Sequence, residues 1–180
     1  MRPLLAFRPL LKVRVWGGAR LKSRSVSPPE DPVGESWEIA DHGADTTVVA
    51  DGPLAGRSLH ELFAEDRASL CGQAFDPASP DAFPLLLKLI DPQKDLSVQV
   101  HPDDAYAGRQ KAGELGKTEA WYVLEADDGG RIYRGVKPGV TADAFRDALG
   151  AGTVADLLHS FPASPGDVVH LPAGTIHALG

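Results

Sequence analysis

From Pro84 onward the chain breaks into short runs of alternating apolar and polar residues: LLLKLI, LSVQV, EAWYVLEA, RIYRGV, DVVHL and TIHAL, each bounded by Gly, Pro or Asp. Period two sends successive side chains to opposite faces of an extended backbone, so these runs predict half-buried strands. Residues 7 to 55 repeat the theme with LKVRVW, SWEIA and TTVVA. Turn clusters separate them at Gly17-Gly18, at Ser27 to Pro32 and at Asp51-Gly52-Pro53, which predicts an antiparallel meander. Helical spacing appears in three places. Residues 58 to 70 carry Leu59, Leu62, Phe63 and Leu70 behind a Ser58–Glu61 capping box, and a Pro-rich stretch at 77 to 84 ends that segment. Residues 103 to 112 start on Asp103 and Asp104, and residues 141 to 150 follow Thr141 as N-cap. The expected fold is mainly β with a few short helices. Residues 1–83 form a meander plus helix that shares one core with a second part, residues 84–180.

Composition narrows the function classes. The 19 Gly and 15 Pro in 180 residues are too many for a helical bundle and fit a chain of many turns. A net charge of −7 and a pI near 5.3 repel phosphate backbones and anionic lipid, which argues against a nucleic-acid or membrane partner. The longest apolar run, Phe83 to Ile90, contains Lys88 and falls short of the roughly 20 residues that span a bilayer. Residues 1 to 29 are basic and free of acids, as a transit peptide would be, but Pro3, Pro9 and Gly17-Gly18 interrupt any amphipathic helix. The single cysteine, Cys71, cannot form an internal disulfide. A soluble cytoplasmic protein is expected.

Three segments place polar residues where chemistry could use them. In LSVQVHP, Ser97, Gln99 and His101 share one strand face while Val98 and Val100 take the other. In GKTEAWYVL, Lys117 and Glu119 share a face opposite Ala120, Tyr122 and Leu124. Either row, taken by itself, is also what a solvent-facing strand shows. The third segment, GDVVHLPAGTIHAL, is more specific: Gly166, five residues, Pro172, one residue, Gly174, two residues, His177. That spacing resembles the second sequence motif of the cupin superfamily, whose jelly-roll barrels gather metal ligands from separate strands onto one interior face. Pro172 and Gly174 then make a tight turn and His177 points inward. Gln99, His101, Glu119 and His177 offer two imidazoles, a carboxylate and an amide oxygen. Such a set suits zinc first, with manganese, iron or cobalt as alternatives.

FPLLLKLID, LSVQVHPDD, GKTEAWYVL and PAGTIHALG, preceded by VWGG at 15 to 18 and GESWEIADH at 34 to 42, closely resemble the bacterial class I mannose-6-phosphate isomerases. The likeness runs over residues 7 to 180 in the family's order. It implies a metal-dependent interconversion of mannose 6-phosphate and fructose 6-phosphate through an enediol. It also implies that Gln99, His101, Glu119 and His177 hold the metal, that Lys117 is catalytic, and that Ser97 and Lys117 line the site of the sugar-phosphate substrate. Two other classes share parts of this pattern. Two histidines and a carboxylate also form the facial triad of iron(II) oxygenases, and a cupin can bind a sugar phosphate without turning it over. Gln99 and Lys117 favour the isomerase. The family continues past PAGTIHALG, whereas this sequence ends at Gly180. The expectation is an open strand edge there, closed by homo-oligomer formation or by further polypeptide, with little isomerase activity in the 180 residues by themselves.

His42, His60, His159 and His170 read as surface or core histidines, with His60 and His159 in helical or loop patterns. Trp16, Trp37 and Trp121 read as core.

Overall fold

Short alternating runs give short strands: the longest, Leu10–Gly18, has nine residues, and its neighbours end wherever a turn residue intervenes. The computed structural model describes residues 4–72, 81–110 and 115–180. The first half of the Pro-rich stretch and the expected end of the helix from 103 lie outside the described residues. Two compact units result, Met1–Gln93 and Lys94–Gly180.

The first unit contains β1 (Phe7–Arg8), β2 (Leu10–Gly18), β3 (Val33–Ile39), β4 (Asp41–His42), β5 (Asp45–Thr46), β6 (Val48–Val49), α1 (Leu59–Glu65), α2 (Arg67–Cys71) and β7 (Leu87–Ile90). Strands β2, β3 and β7 form an antiparallel sheet with β3 in the middle. Gly17 and Gly34 let β2 and β3 approach closely, since a Cβ on Gly17 would lie 2.4 Å from the Gly34 nitrogen. The change of pattern at Pro84 put LLLKLI with the second part. The boundary falls later, after Gln93, because β7 is hydrogen-bonded to β3 with Ile90 opposite Glu35 and Lys88 opposite Trp37.

The capping box forms as expected. The Ser58 hydroxyl accepts from the Glu61 N–H at 3.1 Å, and the Glu61 carboxylate accepts from the Ser58 N–H at 2.8 Å. Leu59, Leu62 and Phe63 turn inward from it and are almost wholly buried, a gain of roughly 1.5–3 kcal/mol each. The single helix expected over 58 to 70 is instead broken at Asp66. Its backbone leaves the helical region and its side chain caps α2 by accepting from the Ser69 N–H at 3.0 Å.

The middle strand carries a buried charge. Glu35 accepts from Lys88 Nζ at 2.9 Å, from Arg14 Nη2 at 2.9 Å and from the Trp37 indole N–H at 3.1 Å. Burial would raise its carboxyl pKa, but Lys88, Trp37 and Arg14 outweigh burial and hold it below the ordinary carboxylate value. A depressed carboxyl contributes stability above the unfolded-chain pKa of about 4.3 and loses it as pH falls through the folded value. Glu35→Gln is therefore expected to cost about 2 kcal/mol at neutral pH, because two cations lose their acceptor while Arg14 stays partly solvated. Urea unfolding at neutral and acid pH checks this: the cost should shrink in acid. An equal cost at both would assign it to packing.

The second unit contains α3 (Asp104–Gln110), β8 (Glu119–Tyr122), β9 (Arg131–Val136), α4 (Ala142–Ala151), β10 (Leu158–Pro162), β11 (Val168–Leu171) and β12 (His177–Leu179). Its strands form two antiparallel sheets, β10-β9-β12 and β11-β8. Ile132 of the first packs with Val169 and Leu171 of the second, and Trp121, Val123, Phe161, Ala163 and Leu179 close around them. Ala148, Val154 and Leu158 make a smaller core under α4, whose N-cap Thr141 accepts from the Ala144 N–H. Two sheets facing across one apolar layer are the jelly-roll arrangement.

Three expectations need correction. His159 lies on β10, a strand the alternation did not announce because LHSFP ends in Pro162, which only an edge strand accommodates. LSVQV is extended but is not a regular strand. It bonds to β12 through the reciprocal Gln99–His177 pair, at 3.0 and 2.9 Å, and through Leu96 N–H to the Leu179 carbonyl at 2.8 Å. Those bonds occupy the side of β12 away from β9, so the open edge expected on the last strand is absent. Exposed apolar side chains occur instead on strand faces, at Tyr122 and Val168, and just beyond β8 at Leu124.

Candidate metal centre

One turn brings the candidate ligands together. Pro172 and Gly174 form a turn in which the Thr175 N–H bonds the Pro172 carbonyl at 3.0 Å and Gly174 has φ +82°, a conformation that glycine adopts without strain. The same turn donates from the Gly174 N–H to the His101 carbonyl at 2.7 Å and from the Ala173 N–H to the Thr118 hydroxyl at 3.3 Å. It thereby ties the segments bearing His101, Glu119 and His177 to one another. The Lys117 N–H closes the set by donating to the Pro102 carbonyl at 3.0 Å.

His101 Nε2 lies 3.5 Å from one Glu119 oxygen and His177 Nε2 lies 3.4 Å from the other. One donor atom from each of the three residues falls within 4.8 Å of the others. Ligands about 2.1 Å from a tetrahedral ion sit roughly 3.4 Å apart, so the separations suit such an ion. His177 is only 2 % exposed, and its Nδ1 donates to the Thr175 carbonyl at 2.8 Å. A carbonyl only accepts, so the proton belongs on Nδ1 and the lone pair on Nε2, the usual orientation of a metal-ligating imidazole. Among the described residues that buried Nε2 has no hydrogen-bond partner, which is costly unless something else takes its lone pair. The donor set is the one a divalent metal would use.

Gln99 joins by register. It exchanges both backbone hydrogen bonds with His177, and residues so paired project side chains from the same face. Lys117 Nζ lies 2.9 Å from Glu119 Oε1, so the expected same-face pair is an ion pair with a half-exposed lysine and a mostly buried carboxylate. Ser97 is exposed, and His170 is exposed on the outer face of β11. Sequence reasoning missed the Thr175 carbonyl and the contact of Trp121 with His177, whose ring centroids are 5.4 Å apart at 83°. The position of Trp121, two residues beyond Glu119 on the same strand face, was the available signal.

Two facing sheets with such a trio between their strands define a cupin with a metal-type ligand set. The sequence pattern of the catalytic domain of type I phosphomannose isomerase matches residues 4–126, and His177 lies beyond that match. The mannose-6-phosphate isomerase ManA of Bacillus subtilis is 38% identical over 176 residues, covering 98% of this chain and 54% of the relative. The mannose-6-phosphate isomerase of Streptococcus mutans is 40% identical over 168 residues, covering 93% and 51%. The crystal structure of the mannose 6-phosphate isomerase from Bacillus subtilis superposes with a TM-score of 0.86, covering 97% of this chain and 54% of the other. A phosphomannose isomerase variant from Salmonella typhimurium, 14% identical with a TM-score of 0.72, shares the fold. The chain belongs to the type I phosphomannose isomerase family, and it spans about half the length of the curated relatives it matches. Among the described residues no helix is long and apolar enough to cross a membrane.

Proposed function

We propose that this protein is a metal-dependent aldose–ketose isomerase that interconverts mannose 6-phosphate and fructose 6-phosphate through an enediol, acting in the cytoplasm. The observation that carries this reading is the convergence of His101, Glu119 and His177, with Lys117 on Glu119, in a chain of this family. His101, Glu119, His177 and Gln99 would hold the metal, zinc by preference and manganese, iron or cobalt by chemistry, since all four donors are nitrogen or oxygen. When bound, a divalent metal supplies a fixed positive charge where the sugar oxygens turn negative.

The protein's own groups do the rest. The Lys117 ammonium stays half in solvent, so a substrate oxygen can reach it, and it can donate to the developing oxyanion or deliver a proton there. The Ser97 hydroxyl, exposed two residues before Gln99, would hydrogen-bond the phosphate. The Thr175 carbonyl keeps the His177 proton on Nδ1 and so keeps that residue a ligand rather than an acid. The outward-facing Tyr122, Leu124 and Val168 support a homo-oligomer as part of the same proposal.

The test is an isomerase assay with mannose 6-phosphate on purified protein, before metal removal, after it, and after zinc or manganese is restored. Turnover that is low for these 180 residues by themselves, lost on chelation and regained with metal is the expected result. Turnover indifferent to metal would remove the metal from the mechanism. Metal-loaded protein that binds the sugar phosphate without converting it would leave a binding cupin.

A further inference from the structure

Trp121 stands where two parts of the second unit meet. On one side it packs against the apolar core of Ile132, Val169 and Leu171, and its backbone is held in the β8–β11 ladder opposite Val169. On the other its indole meets the His177 ring edge-on, 5.4 Å between centroids and 83° between planes. It shares a strand face with Glu119, so one short strand supplies both the carboxylate of the trio and the wall behind one of its histidines. Among the described residues the hydrogen bond that restrains the His177 ring runs from Nδ1 to the Thr175 carbonyl, with Nε2 3.4 Å from a Glu119 oxygen. That bond at one edge fixes the tautomer, while freedom to tilt about it is limited by the neighbouring rings, the His101 imidazole with centroids 5.1 Å apart at 52° and the Trp121 indole. A rigid aromatic face at right angles removes this freedom, and an aliphatic side chain of similar bulk, having rotamers of its own, does not.

We infer that Trp121 is a positioning residue for the metal centre: its indole holds the His177 ring at the inclination that directs Nε2 toward Glu119 and His101. The inference rests on the metal-binding reading above. Pre-set ligands lose less freedom when the ion arrives, so the indole should act on affinity and on coordination geometry beyond its share of core stability.

Zn²⁺ titration calorimetry on the metal-stripped chain, with the absorption spectrum of the Co²⁺-loaded protein, tests this in wild type, W121F and W121L. Thermal unfolding of each metal-free protein is measured alongside. W121L is expected to bind Zn²⁺ about 10- to 100-fold more weakly and to change the Co²⁺ spectrum, the range found for residues that orient a ligand. W121F keeps an aromatic wall and should restore both affinity and spectrum even where its melting temperature falls. If W121L does not fold, W121M fills the space with a flexible side chain and takes its place. Wild-type affinity and spectrum in the aliphatic variant, whatever its melting temperature, would make Trp121 a core residue only and overturn the inference. Failure of the wild-type chain itself to take up Zn²⁺ would instead overturn the metal reading, and this inference with it.

Discussion

His177→Ala is expected to abolish tight divalent-metal binding, a loss well beyond the roughly 10- to 100-fold that removal of a supporting contact costs. The residue contributes the buried lone pair at Nε2, 3.4 Å from Glu119, and no described side chain stands ready to replace it. His101→Ala should do the same, since Glu119 would be left with one imidazole. Gln99→Ala should only weaken binding, because a neutral amide oxygen is the poorest donor of the set. Elemental analysis after purification and Zn²⁺ titration of the stripped proteins would check the order. His177 also packs against Trp121, so the alanine variant should lose some thermal stability even without metal. Wild-type metal content in His177→Ala would remove this residue from the ligand set.

Lys117→Met should spare the metal and remove the chemistry. The ammonium is 2.9 Å from Glu119 Oε1 and is a donor with no lone pair, so it competes with a cation for the carboxylate and does not help to hold it. Its removal should leave metal affinity unchanged or slightly higher. Isomerase turnover should fall by about 10²- to 10⁴-fold, the usual contribution of a positioned proton donor. Steady-state kinetics on metal-loaded protein would separate the roles: kcat should fall with metal content intact. Survival of both would reduce Lys117 to a partner that tempers the charge of Glu119.

The gathering of His101, Glu119 and His177 was legible in the chain, because alternation assigns faces and the spacing from Gly166 to His177 fixes a turn followed by an inward histidine. Glu119 and Lys117 meet for the same reason, since positions two apart on a strand share a side. The helix caps at Ser58 and Thr141 were legible too, being local in sequence. Partners distant along the chain were not. Period two says which way a side chain points but not which strand lies beside it, so β7 joined β3 and β10 joined β9 without any signal in LLLKLI or LHSFP. The Glu35 network is likewise invisible in GESWEIADH, because Lys88 and Arg14 reach it only after β2 and β7 have flanked β3. Nor does the sequence say that Gln99 sits opposite His177 or that the Trp121 indole rests on that histidine. Register and ring packing are decided when two sheets close over a shared core, and that closure brings three marked residues into one cluster.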